Sequence, residues 1–212
     1  YTVDTLTSLG ISDIVAVVGF AGDSVKAALA GKPVTFALQP EQLGTAHALS
    51  SGLPHLNPHI TDVISMYGDD SAFYPKNLIE KLVTTHHQEK ADVTVVTVSV
   101  PDPTGLGRIL RDDQGNIREI VEEKNASPEQ KTITEINTGL FCFKRSFVDE
   151  FLSKVSKNSV SQEYYLTDLI SLAVTHGKKV ASLKWPDPSV WFGVNTPDQW
   201  REANKLMQGK QP

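Results

Sequence analysis

A chain of 212 residues, 40% hydrophobic and 21% charged, is long enough to bury a sizeable core and fits one large domain. Its formal net charge of -5 and pI near 5.7 exclude the basic footprint of a sequence-independent nucleic-acid binder, so an anionic ligand needs local help from backbone amides, a lysine or a metal. One cysteine, Cys142, excludes an intramolecular disulfide framework and fits a reducing cytosol; no run approaches the roughly 20 apolar residues of a membrane span, and no basic-then-apolar signal segment opens the chain. A soluble, cytoplasmic protein is expected.

The elements alternate along the chain. In "YTVDTLTSLG" the apolar residues Val3, Leu6 and Leu9 recur at helical spacing with Gly10 behind them, the tail of an amphipathic helix and its C-terminal glycine. "DIVAVVGF" reads as a strand, and "AGDSVKAALAG" as a helix opened by small and acidic residues and closed at Gly31. "VTFALQ" is of strand type, "LGTAHALSSGL" a short helix and "TDVISMY" a buried strand. "PKNLIEKLVTTHHQEK" is a helix with Pro75 near its start, followed by the strand "DVTVVTVSV". Strands apolar on both faces and separated by helices predict an α/β domain with a mainly parallel, covered sheet.

The middle of the chain breaks this rhythm. "GRILRDDQGNIREIVEE" alternates with period two about "DDQG" and predicts an antiparallel hairpin turning near Gln114 and Gly115, a small lobe beside the sheet spanning about 101–145. A strand "INTGLFCF", helices "SFVDEFLSKV" and "TDLISLAVTHG", a strand "KKVASLKW" and a closing helix "PDQWREANKLM" complete the reading. Tyr1 already stands inside a helical pattern without an N-cap or preceding strand, so a strand and a turn are expected ahead of it.

Candidate functional residues sit at predicted strand ends, where open α/β sheets collect ligands. "ISMYGDD" stops a buried strand on Gly68, Asp69 and Asp70; magnesium needs only one or two protein oxygens, although an aspartate there can equally cap the turn. In "LQPEQLGTAHAL", Gln39 offers an amide that donates and accepts, and Gly44-Thr45 a close backbone approach suited to a planar heterocycle; an ordinary turn and N-cap read the same residues. Cys142 in "GLFCF" reads as strand core, and His86-His87 as a solvated pair at a helix end. "RDDQGNIRE" reads as a solvated hairpin tip, and Trp191 stands near enough to Asn195 to line a pocket.

"QPEQLGTAHA", "MYGDD", "PTGLGRIL", "IVEEKNASPEQ", "EINTGLFCF", "SQEYYLTDLI" and "GVNTPDQW" follow one another as in the bacterial N-acetylglucosamine-1-phosphate uridylyltransferases, which the chain resembles over nearly its whole length. The resemblance implies a Rossmann-like nucleotide-diphospho-sugar transferase fold with a sugar-binding lobe. It implies transfer of uridylyl from UTP to N-acetylglucosamine 1-phosphate. It places Gln39, Gly44 and Thr45 at uracil, Asp69 and Asn195 on Mg2+, and Tyr67 and Gly68 in the "YGD" stretch of the substrate site. Gly107, Glu122, Asn137 and Thr167 would contact the sugar phosphate, with Lys124 near its phosphate. Glu122 alone also reads as a surface charge and Asn137 as a strand-end turn residue.

The sequence departs from that family in three places. The glycine-rich nucleotide loop has no match and Ala46 stands where the family often has glycine; the resemblance would place a hexapeptide-repeat acetyltransferase domain, through which a homo-oligomer would form, after Pro212, and the sequence stops there. The alternatives are a pyrophosphorylase for another hexose 1-phosphate, or a fragment that binds nucleotide sugar without turnover.

Overall fold

The computed structural model describes residues 1–194 and 196–209. The first half alternates as expected: α1 (Thr2–Ser8), β1 (Val15–Val18), α2 (Gly22–Ala28), β2 (Thr35–Leu38), α3 (Thr45–Gly52), β3 (Asp62–Ser65), α4 (Lys76–Gln88) and β4 (Val93–Ser99). The hairpin is β5 (Arg108–Arg111) and β6 (Ile117–Val121), with Gly115 at φ 84 in its turn. There follow α5 (Pro128–Lys131), β7 (Glu135–Lys144), α6 (Arg145–Phe151), α7 (Asp168–Thr175), β8 (Val180–Lys184) and α8 (Pro197–Gly209). The four-residue α5 was not anticipated, yet "SPEQ" carries its signal: Ser127 and Gln130 form a reciprocal capping box around Pro128.

The α/β class stands, and the sheet needs one correction: it is mixed rather than mainly parallel. β1 and β2 form their own parallel pair, while the six-stranded sheet runs β6-β5-β7-β4-β8 with β3 also against β7. β7 is antiparallel to β3, β4 and β5, and among the pairings of this sheet only β4 with β8 is parallel. A strand buried on both faces looks the same in sequence whichever way it runs, so the pattern could not report this reversal.

Two cores sandwich the sheet. On one face Phe141, Phe143, Phe147 and Phe151 stack in succession, with centroids 4.9–6.4 Å apart, beneath α6 and α7. On the other face α4 packs Leu78, Ile79 and Leu82 against Val96, Val98 and Ile136. His86 continues that buried stripe and is 2% exposed. It is therefore not solvated as the sequence suggested: its Nδ1 lies 2.9 Å from the Thr94 hydroxyl and its Nε2 3.4 Å from Asp62. His87 is exposed, as expected. Cys142 is fully buried, and burial pushes its thiol up to about 12, the behaviour of a core residue rather than a nucleophile. No helix among the described residues is long and apolar enough to cross a membrane.

Candidate active site

The site opens where β7 changes partners. One edge of β7 is taken by β3 at residues 141–144 and by β5 at Ile136, leaving 137–140 between the two strands. Against β4 the register jumps here, from Val95 opposite Phe141 to Thr97 opposite Asn137, so β7 bulges by two residues. Gly139, at φ 79, makes the bulge possible. A side chain there would also collide with Tyr67, whose ring stands 2.4 Å from where a Cβ would be. The "EINTG" segment thus departs from regular pairing to present Asn137, Thr138 and Gly139 to a cavity of about 240 Å³.

Tyr67, Asp69, Asp70, Gly107, Glu122, Thr45 and Asn137 line this cavity together. Asn137 accepts from the Gly139 amide at its Oδ1 (2.7 Å), and its backbone N–H donates to the Gly107 carbonyl (3.0 Å), which leaves its side-chain NH2 to donate to a ligand. Glu122 accepts from Thr167 at 2.8 Å. Burial, assisted by Glu163, raises the Glu122 carboxyl above its usual range, while the Thr167 hydroxyl and Arg108 oppose the shift. Thr167 is 1% exposed and is not among the residues that line the cavity; its hydroxyl donates to Glu122, which does. Lys124 is exposed on the turn beyond Glu122, and neither it nor the exposed Gly68 lines the cavity.

Adjacent aspartates have opposite surroundings. Asp69 is exposed at the cavity edge, whereas Asp70 turns inward to accept from the Trp191 indole at 2.9 Å and from Tyr74 at 3.4 Å. Burial, with the Asp69 charge second, pushes the Asp70 carboxyl up to about 7. Trp191 lines the cavity as well as holding Asp70, a role its sequence position only hinted at. Asn195 lies outside the described residues.

The uracil candidates lie across α3. Gln39 is buried; its Nε2 donates to the Gly44 carbonyl (3.1 Å) and meets His47 Nδ1 (2.9 Å), so its side-chain oxygen is the atom left for a ligand. Gly44, at φ 107, leaves no room for a Cβ because the Tyr164 backbone would lie 2.5 Å from it. That close approach is made by the protein's own chain: Tyr164 N–H donates to Leu43, Ala46 N–H to Tyr164, and Leu166 N–H to the Thr45 hydroxyl. Neither Gln39 nor Gly44 lines the carboxylate cavity. Behind α3 a larger hollow of about 530 Å³ runs to α6, but its floor is apolar and the carboxylates converge elsewhere.

The donor set suits a magnesium ion bound mainly by water and phosphate. Asp69, Asp70, Glu122 and Glu163 surround a cavity that no lysine or arginine lines among the described residues, so a polyanion entering it requires a cation. Among those residues no group of three or more His, Cys, Asp or Glu forms a complete metal cage, and Asp70 is engaged by Trp191; Asp69 remains as the one exposed carboxylate. A hydrated ion that takes one or two carboxylates plus ligand phosphates matches such a set.

The profile of a family described as Nucleotidyl transferase matches residues 1–209. The chain belongs to that family. Its curated relatives include bifunctional GlmU proteins: that of Brevibacillus brevis is 40% identical over 208 residues, 98% of this chain and 45% of the relative. That of Syntrophotalea carbinolica is 41% identical over 199 residues, 94% of this chain and 42% of the relative. The chain therefore spans a little under half the length of these relatives. A crystal structure provisionally named a glucose-1-phosphate thymidylyltransferase, from Bacillus anthracis, superposes with a TM-score of 0.72 over 98% of this chain and 81% of that one. At 20% identity this likeness supports the shared fold.

Proposed function

We propose that this chain joins UTP to N-acetylglucosamine 1-phosphate, releasing pyrophosphate and forming UDP-N-acetylglucosamine, in the cytoplasm and with Mg2+. The observation that carries the reading is the convergence of Asp69, Glu122 and Asn137 on one cavity at the β7 bulge. Kinship to the GlmU proteins over nearly the whole chain supports it.

The sugar phosphate oxygen attacks the α-phosphorus of UTP, the new P–O bond forms as the bond to the β-phosphate oxygen breaks, and pyrophosphate departs in line. The attacking oxygen is already anionic, so no strong general base is needed; alignment and charge neutralisation do the catalysis. Glu122 accepts from sugar hydroxyls, held by the Thr167 hydrogen bond, and Asn137 donates from its free NH2. Gln39 presents its oxygen to the uracil N–H across α3. When bound at Asp69 and Asn195, Mg2+ supplies the positive charge that the phosphates meet.

Pyrophosphate release is measured with UTP and N-acetylglucosamine 1-phosphate, beside dTTP and glucose 1-phosphate. Selective release with the first pair is expected, and Asp69→Ala should lower it roughly a hundredfold or more. Equal use of glucose 1-phosphate overturns the sugar assignment, and near-normal turnover by Asp69→Ala removes that residue from the metal.

A further inference from the structure

The largest fully buried side chain among the described residues is a charged one. Arg108, 1% exposed, opens β5 immediately after Gly107 and is not among the residues that line the substrate cavity. Its Nη1 donates to the Leu106 carbonyl and its Nη2 to Glu123 at 2.5 Å; its Nε is buried without a partner among the described residues. An arginine so enclosed, with one donor unmatched, is a cost to folding unless it accomplishes something else. Glu123 completes the connection: the same oxygen accepts from the Gly105 amide at 3.3 Å, and its other oxygen lies 3.4 Å from Lys131. Arg108 and Glu123 therefore grip the 105–107 turn at two backbone points, Gly105 N–H and Leu106 C=O.

That turn faces Glu122. A Cβ on Gly107 would stand 3.4 Å from a Glu122 oxygen, and Gly107 also receives the Asn137 amide. Gly105 and Gly107 line the cavity, and Gly105, at φ 83, has no neighbour within 4 Å of a Cβ position, so apart from the Leu106 N–H bond to the Pro103 carbonyl the turn is held from outside by Glu123, Arg108 and Asn137. Glu122 and Glu123 are consecutive at the end of β6, so one carboxylate faces the cavity and the next fastens the opposite wall.

We propose that Arg108 and Glu123 are positioning residues which clamp the Gly105–Gly107 turn against Glu122 and so set the width of the sugar-phosphate pocket. This rests on the functional reading above for the ligand, though not for the clamp itself. A rigid turn presents its backbone N–H and C=O groups to the sugar without ordering cost on binding; a loosened one incurs that cost in sugar affinity alone.

Glu123→Gln, at a partly exposed position that tolerates substitution, and Arg108→Lys, which keeps the charge but loses the forked geometry, are compared with the parent chain. Amide hydrogen exchange is read on the 102–108 segment, and binding is read with UDP-N-acetylglucosamine and with UDP. Both variants should exchange about tenfold faster in that segment with the α3 and α7 peptides unchanged. Affinity for UDP-N-acetylglucosamine should fall about tenfold while that for UDP is kept. Unchanged exchange at 102–108 overturns the clamp, and so does an equal loss for UDP and UDP-N-acetylglucosamine. If the parent chain binds neither nucleotide, the functional reading fails, and the exchange data still decide the clamp. Should Arg108→Lys not fold, Glu123→Gln carries the test.

Discussion

The two sides of the proposed site are built by different means. On the sugar side, buried polar groups hold one another: Thr167 holds Glu122, Gly139 N–H holds Asn137, and Arg108 with Glu123 holds the 105–107 turn. On the base side the shape comes from backbone zipped to backbone, Leu43 and Ala46 against Tyr164, and the surface around it is more open, with Phe20 90% and Leu38 64% exposed. A pocket that must distinguish hydroxyl patterns requires fixed donors and acceptors, whereas a flat base is met by an edge and a face. Side-chain changes should therefore be felt most on the sugar side.

The largest effect is expected at the bulge. Gly139→Ala places a methyl group into the Tyr67 ring and forces an alanine to φ 79. The left-handed backbone costs about 1 kcal/mol and the overlap about as much again. Denaturant unfolding should show a loss of about 2 kcal/mol, and turnover should fall by roughly two orders of magnitude as Tyr67 is driven into the cavity. Wild-type turnover in this variant would mean that the bulge does not shape the site.

Thr167→Val is milder and one-sided. The isosteric change removes the hydrogen bond that holds the Glu122 carboxyl down against burial, so its pKa should rise further. Sugar binding that needs the carboxylate is present above that pKa and lost as pH falls through it; the acid limb should move to higher pH. The KM for the sugar phosphate should rise about tenfold at neutral pH with that for UTP unchanged. A parallel change in both constants would make Thr167 merely structural.

Much of this architecture is legible in the sequence because it follows period and punctuation. The strand and helix alternation, the hairpin about Gly115 and the glycines ending α1 and α7 were all readable. The direction of β7 was not, since a strand buried along its length, as "EINTGLFCF" is, reads the same whichever way it runs. Its bulge was also hidden, because a glycine within a strand pattern does not say how many residues are set aside. The adjacent carboxylates Asp69 and Asp70 looked equivalent until a turn sent one outward and one against Trp191. The hairpin pattern did not report that Arg108 is buried; its burial goes with the carbonyl of Leu106 in the turn just before it and with Glu123 from beyond the hairpin. Long-range satisfaction of a polar group leaves no local trace.

A smaller effect should mark the base side. Gln39→Ala removes the one side-chain oxygen offered to a base, together with the support it gives His47 and Gly44. A net hydrogen bond contributes about 1 kcal/mol, so the KM for UTP should rise about fivefold while the sugar-phosphate constant stays put. A larger change at the sugar would erase the distinction between the two sides.

The smallest expected change exposes what the sugar side costs. Asp168, at the start of α7 next to Thr167, has its carboxyl raised to about 6, by burial first and then by Glu122 and Glu119. Its folded value lies above the unfolded 3.8, so the folded chain binds the extra proton, and stability present below about pH 4 is lost as pH rises to about 6. Asp168→Asn carries no such charge. Its stability relative to the parent should be level near pH 4 and higher by about 1 kcal/mol at pH 7 in denaturant unfolding. A gap that closes rather than opens with rising pH would contradict the burial argument. A gap that opens means the chain tolerates a crowded set of carboxylates behind Glu122, giving up stability to keep the sugar wall acidic and fixed.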